Sequence, residues 1–272
     1  METATKSFHS FRQGRIRARI EARRQLSIRR NMERALFRDL RKLFNKFVKV
    51  QMYLYGQYGI YDETVAERAL NEDFLPLIQE HYRKIGLLTW EYNEGKYKEV
   101  KQVEEAFVLG RSVDFERLIN EYATGRTLVL AGISARLSGR IRTFIMLERE
   151  QGANLDQIAR AVVEEFAVFG RLRAALIART ETHNAASYAN HTYHQQLADD
   201  TGIEMVKQWV AVNDPRTRSA HSEANGQKVA MDEKFDVGGA KMKYAGDPAG
   251  GAKNVINCRC VIVYANAEDD IE

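Results

Sequence analysis

The sequence predicts an α+β fold, mostly helical over its N-terminal two thirds and closing in a compact domain of short strands. Three observations carry this. Residues 15–54 contain no proline and no glycine, and their apolar side chains recur at spacings of three and four. Six of the 18 glycines fall between Gly226 and Gly251, which favours loops and short elements over helices. The stretches "MVKQWVAVN" (205–213) and "CVIVY" (260–264) read as strands. The expected division is a helical region over 1–150, headed by a basic helix, and an α+β domain over 151–272.

In the first helix, Met32, Leu36, Leu40, Leu43, Phe47 and Val50 form the expected buried stripe. Arg30, Arg34, Arg38, Lys42 and Lys46 recur every fourth residue on roughly the opposite side. Further helices are expected over 63–71, 74–90 and 113–150. In "GANLDQIARAVVEEF", Gly152 ends one helix, and Asn154 with Gln157 fits a capping box for the next. Ile158, Val162 and Phe166 give that helix its buried stripe, and it should run to about Leu197. Asp214 suits the N-cap and Pro215 the first position of a short helix ended by Gly226. Arg216 and Arg218 would then stand in its first turn, where the helix dipole disfavours cations. They call for an acid such as Glu181, or for an external phosphate. An acidic tail, "AEDDIE", closes the chain.

Charge is unevenly placed. Residues 1–50 carry 15 basic and 4 acidic residues, a net of +11, whereas the remainder carries 26 and 33, a net of −7. This asymmetry points to a polyanionic partner for the first helix, and the basic row Arg30, Arg34, Arg38, Lys42 and Lys46 makes it a candidate for non-specific double-stranded DNA binding. An acidic protein surface is the competing partner. An arginine-rich start with Ser7, Ser10 and Ser27 also has the composition of an organellar transit peptide, but the pattern continues into a structural helix. No run of about 18 apolar residues occurs, so no transmembrane helix and no membrane partner are expected.

The two cysteines, Cys258 and Cys260, stand one residue apart in "NVINCRCVIVY". Three readings are open: a redox pair, a metal site, or small side chains packed on one face of a strand. On a strand, residues i and i+2 point the same way, so both thiolates could reach one ion, with His221 as third ligand. Zinc is the candidate ion, weighed against cysteines that simply pack. Asp214, His183 or His191 could supply a fourth ligand. On the long helix, His183 with His191, or His191 with His194, could share a face. A disulfide between the two cysteines would close a strained small ring. Histidines near asparagine in "RTETHNA" and "YANHTYH" invite a nuclease reading, but their spacing matches no nuclease motif. Phosphate-loop, dinucleotide and H-E-x-x-H motifs are missing, and neither "GRSVD" nor "GISAR" forms a nucleophile elbow. No catalytic residue and no required cofactor emerge.

Taken in order, "IARTETHNA", "QWVAVNDPRTRSAHSEANGQKV" and "FDVGG…YAGDPAGGAKNVINCRC" resemble the phage Mu F-like minor head protein family. The residues carrying the resemblance are Arg179 and Glu181, Trp209, Asp214 with Arg216, Arg218 and His221, Asn225-Gly226, Gly246-Asp247-Pro248, and Asn257 to Cys260. The likeness spans about 175–264, is looser over the helices from about 113, and leaves the first hundred residues uncovered. Relatives often carry further prolines after G-D-P, where this chain has Ala and Gly. The resemblance implies a minor structural component of a tailed-phage or prophage head. Its implied partners are the portal protein, packaged DNA, and the major capsid or scaffolding protein. Its implied location is inside the head near the portal, after assembly in the host cytoplasm. Two other readings are weighed. One is a metal-dependent hydrolase or nuclease built on His221, Cys258, Cys260 and Asp214. The other is a family-like domain serving as a delivery module for a toxin, against which stand the mere eight residues after Tyr264.

Overall fold

A computed structural model describes residues 2–97 and 115–267, with side chains from Ala18 onward. Four long helices lead: α1 (Glu2–Tyr58), α2 (Glu63–Tyr97), α3 (Phe115–Glu150) and α4 (Leu155–Thr201). Short elements follow: β1 (Met205–Val210), α5 (Ser219–Glu223), β2 (Lys228–Ala230), β3 (Phe235–Val237) and β4 (Ala240–Met242). A 3-10 turn (Pro248–Gly250), α6 (Gly251–Val255) and β5 (Val261–Asn266) complete the chain. The α+β class is as the sequence predicts. The expected helix start at Val113 and the acidic tail from residue 268 lie outside the described residues.

Contacts group the chain into two compact units. One comprises residues 33–82 and 120–181, which are segments of the four long helices. Its core repeats at helical spacing: Leu36, Leu40, Phe44, Val48, Met52 and Tyr55 on α1, and Ala66, Leu70, Phe74, Ile78 and Tyr82 on α2. The α1 stripe differs from expectation, because Phe44 is buried in place of Leu43, and Val50 is 47% exposed. Two expected helices prove to be one, α2, with Pro76 inside it. Pro76 is on the exposed side, where solvent can take up the carbonyl that proline leaves unpaired. Asp62 caps α2 by accepting from Thr64 N (2.9 Å) and Val65 N (3.0 Å). The capping box of α4 forms as predicted, with Asn154 N donating to Gln157 Oε1 (2.9 Å) and Gln157 N to Asn154 Oδ1 (3.0 Å). Ahead of it, Gly152 ends α3 at φ +80°, a conformation that favours glycine. Ile158, Val162 and Phe166 are fully buried as expected.

The other unit comprises residues 1–32, 83–119 and 182–272. Its sheet runs β2-β1-β5, all antiparallel, with Trp209 opposite Ile262 and Lys207 opposite Tyr264. Alternate residues of β1, namely Met205, Lys207 and Trp209, face inward. A separate hairpin pairs β3 with β4 through Gly238-Gly239, whose φ values of +58° and +80° suit a tight two-residue turn. Helices of the same unit cover the sheet through buried amides. Gln25 Nε2 (3.3 Å) and Asn190 Nδ2 (3.4 Å) both donate to the carbonyl of Ile262, and Asn93 donates to Asn190 Oδ1 (2.9 Å). A carbonyl buried under helices would otherwise lose its water without replacement.

Candidate functional site

Among the described residues, one group of potential metal ligands converges: His221 on α5 with Cys258 and Cys260 ahead of β5, all buried, their ligand atoms within 4.8 Å of one another. His221 Nδ1 lies 3.3 Å from Cys260 Sγ and 3.7 Å from Cys258 Sγ. The cysteines precede the strand, which begins at Val261, instead of occupying it. What turns them together is Asn257 at φ +60°, with Cys258 N donating back to Val255 O (3.3 Å). Trp209, fully buried, sets its ring edge-to-face on His221 (centroids 5.6 Å, 84°).

The surroundings of the sulfurs are unusual for inert packing. Arg29, only 6% exposed, donates from Nη1 to Nδ1 of His183 (2.9 Å). An arginine can only donate, so this bond places the neutral ring's proton on Nε2. His183 in turn stands beside Cys258, and burial keeps it neutral by lowering its pKa. Burial lowers the Arg29 pKa to about 10, and the neighbouring Cys258, Tyr264 and Cys260 pull it back up. The guanidinium therefore remains charged at neutral pH. The thiols split: the hydrogen bond from Cys260 holds Cys258 well below the ordinary thiol range, with His183 and His221 assisting, whereas Cys260 is pushed up. Two sulfurs, two imidazoles and one guanidinium are thus gathered in the interior of this unit. Gly246 makes room for this arrangement: at φ +95°, a Cβ there would come within 2.5 Å of Asn184 Oδ1 and 3.3 Å of His183 Nε2.

The remaining motif residues serve in several places. Asp214 does not cap α5, whose N-cap is Arg218 with no side-chain bond. Its carboxylate instead closes a turn, accepting from Arg216 N (3.0 Å), and pairs with both terminal nitrogens of Arg259, one at 2.6 Å. That pairing holds the Asp214 pKa below the usual carboxylate range. An aspartate engaged by its own turn has no oxygen left to reach a helix that starts five residues later. Arg216 makes an exposed contact to Asp214 (3.6 Å), and Arg218 donates to Ile256 O (2.6 Å). Glu181, the acid expected to answer these arginines, is engaged by Arg126 (2.7 Å) and Tyr82. Arg179 pairs with Glu33 (3.1 Å). Asp247 organises the 3-10 turn, accepting from Ala249 N (2.9 Å) and Lys243 N (2.6 Å). His191 and His194 go elsewhere. His191 lies against Tyr264 Oη (3.3 Å), and His194 stacks on the Tyr264 ring (4.1 Å, 12°).

Beside the ligand group is a crevice of about 10 Å³ lined by the three ligands with Val212, Arg216 and Arg218 among others. That is room for about one water molecule. A wider groove of about 440 Å³ between Lys49–Gln57 of α1 and Asp156–Glu164 of α4 has no such group in its lining. Arg30, Arg34, Arg38, Lys42 and Lys46 are all exposed along α1, and Lys46 contacts Asp73 (3.3 Å). Sequence reasoning missed Arg29, which lies next to the basic row yet is turned inward. It also missed Lys207, fully buried on β1 with Nζ donating to Met231 O (2.8 Å). A charged residue at an inward position of an alternating strand was the available signal for the second.

Comparison with known proteins agrees with the placement of this block. Residues 140–263 match the family described as Phage Mu protein F like protein. The minor head protein GP7 of Bacillus phage SPP1 is 33% identical over 118 residues, 42% of this chain and 36% of that protein. An NAD(+)–arginine ADP-ribosyltransferase, EFV, of Enterococcus faecalis is 33% identical over 113 residues, 42% of this chain and 23% of that protein. The chain therefore spans a minority of the length of each curated relative. No solved structure matches. The cysteine–histidine group, its turn and the helix behind it all fall within the segment, residues 140–263, that matches the family described as Phage Mu protein F like protein.

Proposed function

We propose that the chain is a minor structural protein of a phage head, with α1 laid along packaged double-stranded DNA. The observation that carries the first part is the family match over 140–263, together with the minor head protein of Bacillus phage SPP1 as a relative. The second part is supported by the exposure of all five cations of the basic row, within a segment of net +11. Incorporation through the portal protein, beside the major capsid or scaffolding protein, completes the reading and places the chain inside the head. No helix among the described residues is long and apolar enough to cross a membrane.

Two measurements test this. Mass spectrometry of purified virions and procapsids should find the chain in the head fraction; its absence from both refutes the structural role. For DNA, neutralising about five phosphates predicts a log–log salt slope of about −4 to −5. Changing Arg30, Arg34, Arg38, Lys42 and Lys46 together to Gln should abolish most of that slope. Binding that ignores salt, or that survives all five changes, refutes the DNA contact. A second reading, a metal-dependent hydrolase or nuclease, is favoured by the converging His221, Cys258 and Cys260. Nuclease activity that copurifies with the chain and disappears with His221→Ala would establish it over the first. The ADP-ribosyltransferase relative is covered over only 23% of its length, so the activity in its name belongs to that protein.

A further inference from the structure

We infer that His221, Cys258 and Cys260 bind one zinc ion, with a water molecule in the adjoining crevice as fourth ligand and His183, held by Arg29, positioning the Cys258 sulfur. Zinc–sulfur bonds near 2.3 Å and zinc–nitrogen bonds near 2.0–2.1 Å give a tetrahedral site nitrogen-to-sulfur edges of about 3.6 Å. The distances from His221 Nδ1 to the two sulfurs, 3.3 and 3.7 Å, bracket that value. Both sulfurs approach the same ring nitrogen, which makes Nδ1 the ligating atom.

The fourth position follows from elimination among named groups. Asp214 is taken by Arg259 and by its own turn. His191 is engaged with Tyr264 and lies eight residues further along α4 than His183, about 12 Å along the helix axis. His183 stands beside Cys258, but its Nδ1 accepts from Arg29, so Nε2 carries the proton and has no lone pair for a metal. That ring, whose Nε2 has no hydrogen-bond partner among the described residues, stands beside Cys258, a position from which it can orient a ligand without joining the ion. What remains is the crevice of about 10 Å³ touching all three ligands, which has room for about one water. On binding, both cysteine sulfurs ligate as thiolates, any thiol proton they carry passing to solvent, and His221 supplies its Nδ1 lone pair.

Inert packing explains less. Two small buried side chains do not require a buried guanidinium hydrogen-bonded to an imidazole beside them.

The test uses the full chain purified without chelator. Elemental analysis should give about one zinc per chain, and cobalt substitution should give the visible bands of a tetrahedral ion with thiolate charge transfer. Cys258→Ser, Cys260→Ser and His221→Ala should each lose the ion. His183→Ala and Arg29→Met should keep a saturable site of the same cobalt spectrum, weakened about 10- to 100-fold. Helix content by circular dichroism identifies any variant that fails to fold, and the wild-type stoichiometry stands independently of the variants. Wild-type protein with less than roughly a tenth of an ion per chain overturns the site. So does an ion retained by folded Cys258→Ser/Cys260→Ser protein. Complete loss of the ion in folded His183→Ala protein would make His183 the fourth ligand and overturn the water-filled position.

Discussion

Glu181, a motif residue, places a buried ion pair inside the helical unit, where a single change leaves a charge without its partner. Its side chain is 3% exposed and that of Arg126 is 10% exposed. One guanidinium nitrogen of Arg126 donates to both carboxylate oxygens (2.7 and 2.9 Å), and Tyr82 Oη donates to Oε2 (2.5 Å). Burial works against the charge on Arg126, and the Glu181 carboxylate outweighs it, so the guanidinium pKa is raised. Glu181→Ala leaves that cation buried with no anion, a change that costs about 3–5 kcal/mol. Against a total stability of about 5–15 kcal/mol, this is enough to unfold a substantial fraction of the protein at 37 °C. Glu181→Gln keeps the shape and one acceptor and should cost roughly half as much. The double variant Arg126→Leu/Glu181→Leu removes both charges and should be more stable than Glu181→Ala alone. Urea unfolding at pH 7, read by helix content, gives these values from midpoints at constant slope. A Glu181→Ala cost below about 1 kcal/mol, or a cycle additive to within about 0.5 kcal/mol, would refute a buried, coupled pair.

Three further outcomes follow from single sites. Asn154→Ala should cost about 1 kcal/mol by opening the capping box of α4, measured by the same urea titration; no change in midpoint would show that the box contributes nothing. Lys207 is fully buried, and burial, with Lys243 adding to it, lowers its pKa to about 8 from 10.5. The folded state resists the charge that the unfolded state carries, so the penalty is full below pH 8 and relieved as pH rises toward 10.5, by about 3 kcal/mol in all. Lys207→Met should be flat across that window relative to wild type; parallel curves would refute the assignment. Burial, then Lys207 and Lys243, brings His191 down to about 3. Its contribution is present above pH 6.5 and lost as pH falls toward 3, at about 1.4 kcal/mol per pH unit, and His191→Leu should flatten the acid limb of the stability curve by that slope.

The long helices were legible because their signals are local. An uninterrupted run without proline or glycine gave α1, and Asn154 with Gln157 gave the start of α4. The errors arose where adjacent residues carry equal signals. Leu43 and Phe44 are both apolar, and a period of 3.6 accepts either; only packing chose Phe44. Pro76 looks like a helix breaker in sequence, yet on the solvent side of α2 its missing hydrogen bond has a substitute and its cost is borne by a five-residue buried stripe. Asp214 followed by proline has the chemistry of a helix cap and of a turn, and the choice was made by Arg259, 45 residues away.

The candidate site was legible in its members and illegible in its support. Two cysteines one residue apart and a histidine on a short helix form a recognisable set of ligand types, but nothing local shows that Arg29 reaches His183 across 154 positions. Arg29 is adjacent to Arg30 and carries the same charge; helical geometry alone, about 100° per residue, turns one to solvent and the other inward. The same rule explains why the histidine cluster of α4 separates. His191 and His194 lie too far along the helix axis from His183 to meet at one ion, and each is taken by the tyrosines beside it. Several residues of the Mu F-like block gain a common purpose from this geometry. Trp209 walls His221, Gly246 lets His183 approach, Asn257 turns the cysteines inward, and Asp214 fixes the arginine between them. Four residue types with unrelated chemistry converging on one buried sulfur–imidazole group are what a site requiring fixed ligand geometry needs, whereas packing alone would tolerate many substitutes at each.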